Sequence, residues 1–555
     1  MNEHYNDHQQ FIYEDLIEDF DLTLSDISSL STVHDRYQFE SKFNYELNSE
    51  ANTEKHYEVD IYFFIPKSIG INSDTYSRED FYSDIVNYLR ISGSEVQNDI
   101  DNLLPNLKKY FAVHLTTRKR QNLIPLVIQD IKLFSCSFNS KLKNLHYGLF
   151  QVFNKKSYEF IGDVARANVL LRLLLGFQTM LQAYREKYVE KCRKQMVVVD
   201  PEVKQALLLV DEYNSYRLET TLISVFRLIQ PHTQHFAEVK NTIEKILRNE
   251  IDYRSSVNIT NIDTGDNAVR EYYHYRMGLL KKYVSSVLYL KVQHVKNDKK
   301  YRNIVAGVGA ALAALWASLA NVHYWQAAQA GQIGQMANFQ LITIIIIGVI
   351  AYVFKDRIKD WSKNYFNEQL KHRLPDFDRH MFYTRYDKNG EKQQYFLGTS
   401  TEYMRYLKKK AVSPDVLYVR EMGHDSEIEP QRNEMIIHYC KNLKLQRKNL
   451  EDVPSIKDVV RFNFSKFLSK LDNPSKSLSY FDRNKGIVSI EAPKVYHINV
   501  VFRYAVCEKK AKQVKFKRNI ELERIRIVLN KKGILRVEEV IPRGEMNYQE
   551  TQSEY

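Results

Sequence analysis

From Asn303 to Phe354 the chain carries no Asp, Glu, Lys or Arg, and the gap is closed by Arg302 and Lys355. No other feature limits the fold as strongly, because a long uncharged helix must be covered by protein or by lipid. A bilayer core takes about 20 apolar residues at about 1.5 Å each. Two stretches meet that length, Ile304–Trp325 and Met336–Phe354, joined by the uncharged linker QAAQAGQIGQ with Gly331 and Gly334 suited to a turn. Tyr301, Tyr324, Trp325, Tyr352 and Trp361 lie where interfacial aromatics would. The pattern predicts a two-helix transmembrane hairpin. By contrast, the greasy segment from Val164 is broken by Arg166 and Arg172 and reads as a core helix.

Lys291, Lys296, Lys299, Lys300 and Arg302 precede the first stretch, and Lys355, Arg357, Lys359 and Lys363 come after the second. This bias predicts a protein integral to the cell (plasma or inner) membrane with both termini cytoplasmic. The acidic start MNEHYNDHQQFIYEDLIEDFDL has no signal-peptide pattern. Cys136, Cys192, Cys440 and Cys507 are scattered without paired spacing, which suits a reducing compartment.

The expected fold class is an α+β integral membrane protein. An acidic tail over 1–36 leads into a mainly helical cytoplasmic domain over 37–302 with an N-terminal β-hairpin. Spans over 303–325 and 336–354 enclose a short loop at 326–335. A basic, mainly antiparallel β domain with helices fills 355–545, and 546–555 is a tail. Residues 355–555 hold 41 Lys and Arg against 28 Asp and Glu, so the excess charge of +12 belongs to this region.

Local signals place the elements. YQFESKFNYEL and YEVDIYFFI alternate in hydropathy and read as the two strands of a hairpin, with Pro66 ending the second. Ser77 and Asp80 have capping-box spacing ahead of an amphipathic helix. Asp200 and Pro201 open another helix that cannot pass Pro231. The helix from Asn267 is expected to run on as a stalk into the first span. Asn389-Gly390 marks a hairpin turn. Residues 455–474 read as a helix capped by Ser455, and the last hundred residues as antiparallel strands.

No catalytic, cofactor or metal motif is strong, so the reading leans against an enzyme and assigns no cofactor. The Gly307/Gly309 pair lacks the third glycine and the strand of a dinucleotide loop. His372, Asp376, Asp378 and His380 read as a solvated linker, and His232 and His235 as a surface pair. Asp482, Glu491 and Lys494 have the wrong spacing for a nuclease, with Pro493 breaking the strand. Two features remain. Ala306, Gly307, Ala310, Ala311, Ala314 and Ser318 form small-residue rows suited to helix packing within the hairpin or in a homo-oligomer. Lys515 and Lys517, with Arg524 and Arg526, alternate with apolar residues and are expected to form one basic surface. Its partners would be anionic phospholipid headgroups of the lipid bilayer, with nucleic acid ranked behind. The function expected is a membrane-anchored interaction or signalling scaffold. The alternative is an effector whose hairpin oligomerises and permeabilises the membrane, and a membrane-tethered enzyme on lipid or nucleic acid comes last.

Overall fold

The computed structural model describes residues 27–553 apart from 47–53, 92–103, 113–116, 155–162, 195–198, 233–235, 263–265, 296–297, 330–345, scattered positions within 347–374, 388, 423–433, 447–454, 510–514 and 542–546. Four elements open the chain: β1 (Ile27–Val33), β2 (Gln38–Glu46), β3 (Glu54–Pro66) and helix α1 (Arg78–Asp84), which passes directly into β4 (Ile85–Ile91). Ser77 and Asp80 form the anticipated capping box, but the helix stops at Asp84 and the rest of the expected helix is strand.

A helical insertion comes next: α2 (Pro105–Tyr110), α3 (Thr117–Asn154), α4 (Asp163–Tyr184), a π turn (Arg185–Val189), α5 (Glu190–Arg193), α6 (Pro201–Ile229), α7 (Ala237–Ser256) and α8 (Asn267–Ser285). Its apolar faces meet in one core that includes Val127, Phe134, Leu174, Leu207, Leu222 and Ile243. Across that core runs a buried ion network. Arg185 donates to Asp211 at 2.8 Å and to both oxygens of Glu250 at 2.7 and 2.9 Å, and its guanidinium lies 3.6 Å from the centre of the Tyr253 ring.

Strand β5 (Lys291–His294) separates the insertion from helix α9 (Asp298–Gln329), so the expected continuous stalk does not form. The remainder is β6 (Phe377–Tyr386), β7 (Lys392–Leu407), α10 (Pro414–Glu421), β8 (Glu434–Gln446), β9 (Ser455–Asn463), α11 (Ser465–Leu468), β10 (Ser475–Asp482), β11 (Gly486–Pro493), β12 (Tyr496–Lys509), β13 (Lys515–Asn530), β14 (Gly533–Ile541) and β15 (Asn547–Ser553). The Asn389-Gly390 turn joins β6 to β7 as anticipated, with Gly390 at φ 78°. Two expectations fail here. The segment read as a helix from Ser455 is β9 followed by a four-residue helix, and the expected tail contributes β15, which pairs with β13.

Two antiparallel sheets face each other. The smaller has the order β1-β2-β9-β4; the larger, of nine strands, has β14-β13-β12-β3-β8-β7-β6-β5, with β15 beside β13. Rings from both sheets interlock, as in Phe43–Phe502 at 6.1 Å, Phe63–Phe462 at 5.1 Å and Tyr45–Tyr57 at 5.1 Å. The strands β2 and β3, expected to pair as a hairpin, lie in different sheets. β3 sits between β12 and β8, and β2 and β4 flank β9. N- and C-terminal strands therefore build one sandwich, and the helices are an insertion into it.

The membrane assignment is overturned. Among the described residues no helix is long and apolar enough to cross a membrane. This removes the two-helix transmembrane hairpin from the fold class and, with it, the assignment of the chain as integral to the cell membrane. Helix α9 opens in charge at Asp298, Lys299, Lys300 and Arg302. Its middle third is rich in Ala and Gly, which bury little area, and its last third carries Asn321, His323 and Gln326. Most of the second stretch, Met336–Phe354, lies outside the described residues.

Candidate anion-binding site

Strand alternation sets the outer face of the smaller sheet. In β9, Ile456, Val460 and Phe462 point into the sandwich core, so Lys457, Val459 and Arg461 point away from it. Lys457 stands beside Arg90 of β4 on one side and Asn44 of β2 on the other. One step along, Val459 stands between Tyr88 and Lys42, and Arg461 stands between Val86 and Glu40. Val459 on this outer face is only 1 % exposed. The chain is stitched across here to the end of the insertion: Ile91 N–H donates to the Leu288 carbonyl at 2.9 Å, and Leu290 N–H to the Leu89 carbonyl at 3.1 Å.

The insertion brings three more cations to this face: Lys143 of α3, Arg217 of α6 and Lys281 of α8. Burial first, and then the charges of Arg217, Arg90, Lys281 and Lys457, pull the Lys143 ammonium down to about 8. The Lys143 and Lys281 side chains are exposed, and those of Arg90, Arg217 and Lys457 are half-buried. Burial followed by the charges of Arg90 and Lys42 lowers Lys457. Burial followed by Arg217, Arg461 and Arg90 lowers Lys281. After burial, the neighbouring guanidiniums are the main cause, because a nearby like charge disfavours the charged form of each lysine.

Among the described residues none of Arg90, Lys143, Arg217, Lys281 and Lys457 is in an ion pair. Arg217 donates to the Asn139 side-chain oxygen at 2.9 Å. The Arg90 Nε is buried without any hydrogen-bond partner. Glu40, the acid whose charge acts on Lys281, is already held by Lys42 at 2.7 Å and by Arg461. Burial alone would raise the Glu40 carboxyl, but the hydrogen bonds from Lys42 and Arg461 hold it below its ordinary value, so it remains an anion. Tyr88 and Tyr289, with ring centres 6.0 Å apart, and the Arg461 guanidinium 5.4 Å from the Tyr88 ring border the site. Burial pushes the nearby Cys136 thiol up to about 12, so it is protonated and a poor nucleophile at neutral pH. Among the described residues, five cations from five elements thus gather here without an ion-pair partner, an arrangement whose chemistry suits several negative charges held close together.

The residues singled out from sequence fall elsewhere. Ala306, Gly307, Ala310, Ala311, Ala314 and Ser318 are all exposed, and a Cβ built on Gly307 meets nothing within 4 Å. The buried stripe of α9 is the adjacent row, Val305, Gly309 and Ala313. Arg524 is not a surface cation. It is fully buried, donating to Asn499 and to the Val419 and Met422 carbonyls, where it ties α10 onto the large sheet. Arg526 pairs with Glu538 at 3.5 Å. The side chains of Lys515 and Lys517 lie outside the described residues. With Arg524 buried and Arg526 paired, these two do not contribute free cations to a basic surface.

The weaker motifs are also placed. Asp376 accepts from Arg78 at 2.6 Å and from Tyr82 at 2.9 Å, and Lys494 pairs with Asp472. His372 and His235 lie outside the described residues. Glu58, Asp60 and Cys440 lie close enough to hold a metal ion. The Arg503 guanidinium, 3.2 Å from Asp60 and 3.7 Å from Glu58, already supplies their positive charge. Burial acts to raise the Asp60 carboxyl, but the His438 hydrogen bond at 2.8 Å and then Arg503 hold it low. A cation would have to displace Arg503, so this donor set does not fit a metal.

No protein-family model, no curated protein and no solved structure matches this chain.

Proposed function

We propose that the protein is a ligand-responsive interaction protein whose cluster of cations between the sandwich and the insertion binds a compact, multiply charged phosphate anion. The observation that carries this reading is the set of five cations, Arg90, Lys143, Arg217, Lys281 and Lys457, gathered with no ion-pair partner among the described residues. Such a set lowers stability until a counter-anion arrives, which is the signature of a binding site rather than of structural ion pairing. Because the cations come from both the insertion and the sandwich, a bound anion draws the two together. Ligand binding thereby changes how firmly the insertion is docked, and the insertion's outer surface is the part that a protein partner would read. This keeps the chain in the interaction and signalling class.

The test is calorimetric titration of the full chain with inorganic tripolyphosphate and with ATP, against sulfate as a weakly charged control. Each charge-assisted phosphate contact is worth about 1.5–3 kcal/mol. Arg90→Gln and Lys457→Gln are therefore each expected to weaken tripolyphosphate binding by roughly ten- to a hundredfold. Affinity should fall as salt rises. Absence of tripolyphosphate binding, or binding indifferent to both substitutions, overturns the proposal.

A further inference from the structure

The ribbon β10–β11 forms a sheet of its own, and among the described residues neither outer edge pairs with another strand. Every residue of β10 up to Phe481 is exposed. Its apolar groups face solvent: Leu478 is 47 % exposed, Tyr480 48 %, Phe481 74 %, Ile487 81 % and Ile490 48 %. A lone two-stranded ribbon is at best marginally stable in water, and a long apolar edge is a template for further pairing. Its two edges differ. The β11 edge ends in Pro493, which lacks an N–H, whereas β10 has no proline.

The β10 sequence, SKSLSYFD, is self-complementary when reversed about Ser479. In an antiparallel pairing with its own copy on that axis, Lys476 faces Asp482, Ser477 faces Phe481, Leu478 faces Tyr480, and Ser479 faces itself. Each opposite-charge pair and each aliphatic–aromatic pair then occurs twice, and no like charges meet. Asp482 accepts from the backbone N–H groups of Asn484 and Lys485 through Oδ1, which leaves Oδ2 for the lysine of the copy. We propose that a second copy of this chain pairs along the β10 edge through a two-fold axis at Ser479. The product is a continuous four-stranded sheet, β11-β10-β10-β11. Eight residues a side fall short of the roughly 20–30 of a standard interface, so the dimer forms in a concentration-dependent way. The surface is independent of the anion site and stands or falls separately from it.

Mild oxidation of the full-length Ser479→Cys variant tests the proposal, with Ser489→Cys as its partner. On the axis, the two copies of residue 479 have Cα atoms about 4.5–5.5 Å apart, within disulfide range. Residue 489, one strand further out on each side, is about 14 Å from its copy. The expected result is a disulfide-linked dimer for Ser479→Cys and none for Ser489→Cys. Adding Lys476→Glu, which sets two acids opposite each other, should lower the dimer yield roughly tenfold. Equal crosslinking at 479 and 489, or none at 479 up to the highest soluble concentration, overturns the proposal.

Discussion

Replacing Lys143 with Met should make the unliganded protein more stable and make it a poorer binder. Held at about 8 against an ordinary 10.5, the ammonium is disfavoured in the folded chain by up to ~3 kcal/mol. Because solvent reaches the side chain, screening reduces this to about 1 kcal/mol. Met keeps most of the aliphatic stem, so little packing is lost. The sign comes from proton linkage. Between pH 8 and 10.5 the unfolded chain holds the Lys143 proton that the folded chain has released, so wild-type stability rises with pH across that window. The variant lacks this group. Its advantage of about 1 kcal/mol at pH 7 should therefore shrink towards zero as pH rises through the same window. Urea unfolding followed by circular dichroism at several pH values measures the difference, and the same curves with tripolyphosphate should show less stabilisation of the variant than of the wild type. A variant less stable than wild type at pH 7, or an advantage constant with pH, would refute the argument that burial and the neighbouring cations disfavour the Lys143 ammonium.

Arg185→Met leaves Asp211 and Glu250 buried without their main counter-charge and should cost about 3–5 kcal/mol in urea unfolding; a loss below about 1 kcal/mol would count against the network. Gly398→Ala would set its Cβ 1.9 Å from the Lys444 carbonyl oxygen, at a φ of 154° beside the bulge in β6–β7. It should lower stability by about 3 kcal/mol, and unchanged thermal unfolding would show that the close approach relaxes easily. Ser77→Ala removes the side-chain half of the capping box on α1 and should cost about 1 kcal/mol, read by the same unfolding assay.

Strand alternation makes β2, β3, β6, β7 and β12 to β14 visible in the sequence, and Asn389-Gly390 marks its own turn. Pairing is not visible, because a period of two reveals a strand's faces and says nothing about its neighbours. That is why β2 and β3 read as a hairpin although they face each other across the core. The strand β9 reads as a helix because it is buried on both faces. Ile456, Val459, Val460 and Phe462 then fit helical spacing as well as strand spacing. In α9 the small-residue rows are real, but the buried stripe is offset by one position, and nothing in a run of alanines and glycines marks that offset.

The anion site is illegible for a different reason. Arg90, Lys143, Arg217, Lys281 and Lys457 come from five elements far apart in sequence and share no local motif. The excess of charge in the C-terminal region points instead to Arg524, which is buried under α10. A basic count locates charge along the chain, whereas a site needs charge left unpaired in space. The one signal in the sequence is negative: neither Arg90 nor Lys457 has an acid placed two residues away on its own strand to neutralise it.

The position of β3 in the middle of the large sheet sets the order of events on the ribosome. Phe63 pairs with Ile437 on one side and with Val500 on the other. At about 5–20 residues per second, the strand emerges tens of seconds before its second neighbour exists. The helical insertion, whose partners are close in sequence, can fold in that interval, but the sandwich cannot close. For that time Ile61, Phe63 and Ile65 form an apolar strand with no edge to join, the kind of segment that aggregates or recruits a chaperone. Slow synthesis therefore lengthens the exposure of β3, and the yield of folded protein should depend on translation speed and on chaperone supply more steeply than its final stability would suggest.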